Sequence, residues 1–177
     1  MYLGADDVLL PGALRTVLDA FTQKPDVELV YGEVEWIDAD GNVTGHHAGR
    51  IANLADVLDI YRVWWRKRQW VQPEVFFRRT LKERVGTFDD RYDLAFDYDF
   101  WLRCFLLGAR VSPLPHRLVQ FRLHDAQKST ASHKAADEIR TILRRHLDSS
   151  APISRWLRWR LEGQLAYDTY QLSDAGE

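Results

Sequence analysis

Two adjacent carboxylates, Asp6 and Asp7, close the short run Tyr2-Leu3-Gly4-Ala5 and lead into Val8-Leu9-Leu10. Carboxylates are hard oxygen ligands, and a pair at the mouth of a strand can hold a divalent cation that in turn holds phosphates. The same pair also reads as turn residues whose side chains satisfy free backbone N–H groups ahead of a helix. A second stretch with chemical content is Asp93-Leu94-Ala95-Phe96-Asp97-Tyr98-Asp99-Phe100-Trp101-Leu102-Arg103. Asp97 falls at or just before the first turn of a helix. A carboxylate there is either a cap favoured by the helix dipole or a general base, provided it reaches the proton it removes. His124 ends an alternating run, where an imidazole is either polar surface or a metal ligand. His46 and His47 are adjacent, so on a strand they point to opposite faces and do not pair on one metal. Asp38-Ala39-Asp40-Gly41-Asn42 has its glycine too early for a calcium loop and lacks the closing Glu, which leaves a hairpin turn.

These residues need elements to place them. Residues 11–21 read as an amphipathic helix, with Pro11 in the first turn and Leu14, Val17, Leu18 and Phe21 at helical spacing. Residues 28–37 read as a strand, 43–47 as its short return, and 53–65 as a helix capped by Asn53. An apolar strand-like run follows over 71–79, then a short helix stopped by Gly86. The helix carrying Asp97 runs to Leu107, with Trp101, Leu102 and Phe105 on its core side. Residues 109–112 and 117–124 read as two separate strands, and 134–147 and 152–172 as two helices.

The 177 residues suffice for one domain with a real core. The chain is 46% hydrophobic and 28% charged, which is the balance of a soluble globular protein rather than a disordered one. The net charge of −2 argues against a general nucleic-acid binder. Cys104 is the sole cysteine, so no internal disulfide forms; it reads as a core thiol in a reducing compartment. No apolar run spans a bilayer and the N-terminus lacks a signal-peptide layout, so a cytoplasmic location is expected. Five of the seven Trp lie in two basic clusters: Trp64, Trp65 and Trp70 within 62–70, and Trp156 and Trp159 within 155–161. The first cluster reads either as a helix end with indoles packed inward, or as a surface for a phosphorylated, lipid-linked, sugar or membrane ligand; the second reads as indoles packed on the domain, or as peripheral attachment to an anionic leaflet.

Taken in order, several of these stretches together resemble the C-terminal portion of a family 2, GT-A type inverting glycosyltransferase. Tyr2 to Asp7 with Leu9-Leu10-Pro11-Gly12-Ala13-Leu14 resembles the family's DxD-equivalent motif and the helix after it. Val30-Tyr31-Gly32 and the 38–41 turn resemble its central strand and hairpin. Gln72-Pro73, Val75 to Arg79 and Val85-Gly86-Thr87-Phe88-Asp89 resemble the acceptor-side segment and its glycine loop. Asp97 to Arg103 resembles the stretch holding the catalytic base, and Phe121-Arg122-Leu123-His124 with Lys128-Ser129 the segment after it. Ala5 stands where the family often has Ser, and Phe96 where it often has Glu.

The resemblance implies an α/β fold: a partial GT-A domain over 1–130, a mixed sheet flanked by helices, with a helical extension over 131–177 and without the family's N-terminal nucleotide-binding half. It implies a nucleotide-diphosphate sugar as donor, and a saccharide, lipid-linked or other hydroxyl as acceptor. It also implies a divalent cation, Mn2+ or Mg2+, held by Asp7 with Asp6 and His124. Asp97 is then the base that deprotonates the acceptor hydroxyl, with Gln72, Arg78, Arg122 and Trp70 as acceptor or phosphate contacts and Trp64 and Trp65 as further stacking surfaces. Two other readings stay open. One is an inactive fragment, whose exposed sheet edge and apolar face call for a partner half or a second copy. The other is a non-catalytic module that uses the basic-aromatic clusters on a membrane or protein.

Overall fold

The computed structural model describes residues 1–59, 63, 66–123, 132–148 and 153–174. Strand β2 (Leu29–Ile37) is its axis. It pairs antiparallel with β3 (Val43–Ala48) and with β4 (Val75–Phe77), and parallel with β5 (Val111–Arg122). The two-residue β1 (Val8–Leu9) adds antiparallel to β5, giving a mixed five-stranded sheet. The core divides across β2 by the two-residue period of a strand. Val30 and Val34 face helix α1 (Ala13–Gln23), together with Phe76, Leu118 and Val119. Leu29 and Tyr31 face the other side. There they meet α2 (Leu54–Leu58), α3 (Arg79–Val85), α4 (Phe96–Leu106), α5 (Ser132–Asp148) and α6 (Arg155–Asp174).

Local signals placed several boundaries. Asn53 Oδ1 accepts the Asp56 N–H at 3.1 Å, as a helix cap does. Helix α3 ends at Gly86, whose φ of 93° suits glycine. Asp38 Oδ1 accepts the Asp40 and Asn42 N–H groups at 3.0 and 2.8 Å and closes the β2–β3 hairpin. His46 is exposed and His47 half-buried, on opposite faces of β3. Cys104 is buried, and burial pushes its thiol up to about 12.

Three expectations are corrected. The two segments expected over 109–112 and 117–124 are not separate strands: one strand, β5 (Val111–Arg122), runs through both. Its register with β2 slips around Gly32, from Tyr31 opposite Pro113 to Glu33 opposite Arg117. The bulge takes up Pro115, while Pro113 keeps its place opposite Tyr31. A Cβ on Gly32 would lie 2.4 Å from Leu118 Cδ1, so glycine is required there. Second, the stripe on α1 does not all face the core. Ala13 and Val17 do, whereas Leu14 and Leu18 are exposed and line a groove of about 690 Å³ with Met1, Phe21, Phe76 and Phe77. Third, the α-helix that begins after Asn53 ends at Leu58. Trp64 and Trp65 lie outside the described residues. No helix among the described residues is long and apolar enough to cross a membrane.

Candidate active site

Asp7 ends a tight turn in which its N–H donates to the Gly4 carbonyl at 3.3 Å. Its carboxylate is fixed from two sides: Oδ2 accepts the Gly4 N–H at 3.2 Å, and Oδ1 accepts the Arg122 N–H at 3.3 Å. A Cβ on Gly4 would come within 2.6 Å of Asp7 Oδ2, so a larger residue there would displace that carboxylate. The Arg122 bond follows from register, because Val8 lies opposite Gln120 in the β1–β5 ladder. Burial, and secondarily the neighbouring Asp6 charge, raises the Asp7 carboxyl above its ordinary value.

Arg122 was expected to touch acceptor or phosphate. Its guanidinium instead donates to the carbonyls of Asp6 (3.2 Å), Asp38 (2.8 Å) and Ala39 (2.9 Å). It thereby locks the Asp6–Asp7 turn to the β2–β3 hairpin, a use that suits the planar fork of Arg. Arg78 is likewise engaged elsewhere. It donates to the Val27 and Phe21 carbonyls, both at 2.7 Å, and lies over the Phe21 ring, at the C-terminal end of α1. Trp70 is only 2% exposed and packs among Tyr31, Trp101 and Phe105, with centroids 5.0 to 5.8 Å apart, so it is core rather than a stacking platform. Gln72 is half-buried at the start of the 3-10 turn Gln72–Glu74. That turn is held by Glu74, fully buried, whose Oε1 accepts the Val71 N–H at 2.9 Å; burial raises its carboxyl well above the usual range.

Asp97 sits in the first turn of α4. It is partly buried, its Oδ1 accepts the Tyr98 N–H at 2.7 Å, and among the described residues no Lys or Arg pairs with it. Burial raises its carboxyl to about 7. Two residues on, Asp99 takes the opposite course. It is paired with Arg103 at 2.7 Å, lies 3.7 Å from His146 Nε2, and is held below the carboxylate range by those two partners against the cost of burial. Arg103 also donates to the Val85 and Thr87 carbonyls and so fixes the Gly86 loop. Neighbouring carboxyls pushed to opposite sides of their ordinary value are the arrangement in which one is free to exchange a proton near neutrality.

Aromatic packing joins the two carboxylate stretches. Tyr2 meets the Phe88 and Phe96 rings edge-on, each at 5.8 Å, and Phe88 packs on Phe96 at 5.5 Å and Phe100 at 4.8 Å. The segment leading into Asp6 and Asp7 therefore lies against the residue next to Asp97. His124 lies outside the described residues. Among the described residues no three His, Cys, Asp or Glu side chains converge as a metal site. Asp6 and Asp7 together offer a hard-oxygen donor pair. Each Asp7 oxygen that accepts one N–H keeps a second lone pair for a cation.

No family model matches the chain. It is 22% identical over 121 residues to an uncharacterized glycosyltransferase of Methanocaldococcus jannaschii, covering 68% of this chain and 40% of that protein. It is 29% identical over 120 residues to a PGL/p-HBAD biosynthesis glycosyltransferase of Mycobacterium bovis, covering 67% and 42%. An uncharacterized protein of Mycobacterium tuberculosis is 32% identical over 170 residues, covering 88% and 49%. The structure of S. aureus TarS 1-349 in complex with UDP-GlcNAc superposes with a TM-score of 0.62 at 12% identity, covering 94% of this chain and 47% of that one. The chain carries a glycosyltransferase-type fold. It spans half or less of each of these relatives, which fits a C-terminal portion of such a domain.

Sequence reasoning singled out Asp6, Asp7 and Asp97 as candidates. It assigned no role to Glu138, which the structure places against the segment carrying Asp97. No local signal could have shown this, because the contacts bridge 43 to 45 residues.

Proposed function

We propose that this chain forms the acceptor-side half of a glycosyltransferase that moves a sugar from a nucleotide-diphosphate donor to a hydroxyl, with inversion. The observation that carries the proposal is Asp97. It is a partly buried carboxylate at the start of a helix, raised to about 7, lying next in sequence to a phenylalanine that packs on the Asp6–Asp7 segment. A base that titrates near the working pH is effective at drawing a proton from an alcohol. In this role Asp97 Oδ accepts the acceptor hydroxyl proton as that oxygen attacks the donor sugar from the face opposite the leaving diphosphate. Asp7, oriented by the Gly4 and Arg122 N–H groups, and Asp6 beside it would hold Mn2+ or Mg2+. Bound there, the cation would stabilise charge on the departing diphosphate. Gln72, on its braced turn, is the remaining acceptor-side candidate. His124, which follows Leu123 in sequence, remains the proposed third cation ligand.

The acceptor class is open to a membrane-borne hydroxyl. Trp156 and Trp159, one helical turn apart on α6, are 61% and 70% exposed, and Arg155 beside them is exposed too. Indoles and guanidinium groups on one face suit peripheral contact with an anionic leaflet.

The test is thermal unfolding of the chain with Mn2+ and a panel of nucleoside diphosphates, beside Asp7→Ala. A ligand that binds only the folded state raises its apparent stability. The expected result is a nucleotide-specific rise that needs Mn2+ and vanishes in Asp7→Ala. A rise that persists unchanged in Asp7→Ala would remove Asp7 from the cation site.

A further inference from the structure

Helix α4 begins without a side-chain cap of its own, since its cap position is Ala95. The N–H groups at this end are instead taken by a carboxylate from a distant helix. Glu138, half-buried on α5, accepts the Leu94 and Ala95 N–H groups on Oε2, both at 2.8 Å, and the Asp93 N–H on Oε1 at 3.2 Å. Three consecutive backbone donors converging on one carboxylate form an anion nest, and the helix dipole adds to the attraction.

Other α5 contacts flank it. Lys134 pairs with Asp93 at 2.9 Å, Arg145 with Asp89 at 3.0 Å, and Ile139, Ile142 and Leu143 enter the same core as α4. The two ion pairs are about half-exposed on their cationic side, and such solvent-screened pairs contribute little. They do not fix the position of a turn. Charge-assisted bonds from backbone N–H groups are stronger and directional. Asp97 follows Ala95 by two residues, so the plane and depth at which α4 starts set where its carboxyl lies.

We infer that Glu138 is a positioning residue for the base of the transfer reaction: by holding the Asp93–Ala95 turn it fixes the first turn of α4 and the burial of Asp97. Helix α5, which lies outside the stretches that the sequence marks for chemistry, is thus part of the site's machinery. This inference rests on the reading of Asp97 as the base, and the experiment keeps the two apart.

The experiment is NMR on the labelled chain, following amide exchange at Asp93, Leu94 and Ala95 together with the titration of the Asp97 carboxyl carbon. In Glu138→Ala, exchange at Leu94 and Ala95 should quicken by at least about tenfold. The Asp97 midpoint should fall by about one pH unit or more as water reaches it. Glu138→Gln keeps one acceptor oxygen, so Leu94 and Ala95 should stay protected while Asp93 loses protection. That variant decides the matter if Glu138→Ala does not fold. Unchanged exchange at all three amides, or an unchanged Asp97 midpoint beside faster exchange, overturns the inference. An Asp97 that titrates in the ordinary carboxylate range in the unmodified chain would instead remove the base reading, while the amides still report whether Glu138 holds the turn.

Discussion

Asp97 and Asp99 show how two like side chains, one turn start apart, are given different work by their surroundings. Asp99 has the Arg103 guanidinium as partner and stays ionised; Asp97 has burial without one and holds its proton to about 7. Folding therefore raises the Asp97 pKa above its unfolded value near 3.8. A raised acid binds more protons in the folded state, so stability declines as pH climbs from about 4 to about 7 and the penalty is complete above that interval. Asp97→Asn should remove this penalty. At pH 8 the variant should be more stable than the parent chain by roughly 1–3 kcal/mol, and at pH 4 the two should match. Paired melting curves at the two pH values check this. On the proposed reading of Asp97 as the base, a transfer assay should show a loss of roughly 10²–10⁴-fold for the same variant, and a parent rate that rises with pH up to about 7 as the base ionises. A variant that is more stable at pH 8 and inactive would match the trade between stability and function that a desolvated base imposes.

At the level of elements, the decisive joint is between β1, the end of β5 and the β2–β3 hairpin. Arg122 makes that joint through three carbonyls and its own N–H. Arg122→Lys keeps the charge but places a single ammonium where a fork reached both the Asp6 turn and the Asp38–Ala39 turn. Loss of those bonds should cost about 1–3 kcal/mol of stability. It should also weaken any Mn2+-dependent thermal shift more than the Asp97→Asn change does. Denaturant unfolding with and without Mn2+ measures both effects. Helix α4 is braced in a parallel manner, by Arg103 on the Gly86 loop and by Glu138 at its start.

Across the whole molecule, the sheet separates two cores: α1 covers one face, and α2 to α6 cover the other. The exposed Trp156 and Trp159 lie on the helix whose Leu157, Leu161 and Leu165 enter the larger core. Changing both indoles to Ser leaves that core untouched. The double variant should keep its melting temperature and lose most sedimentation with vesicles containing about one-third anionic lipid, and binding by the parent chain should fall with added salt. Equal sedimentation by parent and variant would remove this face as a membrane contact.

What the sequence determined by itself is what neighbours in the chain decide. Asn53 capping α2, Gly86 ending α3, the Asp38 turn and the placement of Asp97 in a first helical turn each involve groups within a few residues of one another. The order of the Asp6–Asp7, Gln72–Arg79 and Asp97–Arg103 stretches was legible for the same reason, because a resemblance is read along the chain. Tertiary structure alone decided which side of a pattern faces inward and which distant group meets which. It turned Leu14 and Leu18 outward and Trp70 inward. It drew Arg78 to the end of α1 and merged two apparent strands into β5 across the Gly32 bulge. It brought Glu138 to the start of α4. Spacing along a chain encodes a period and a cap, but not the partner of a long side chain, which is set by packing between segments tens of residues apart.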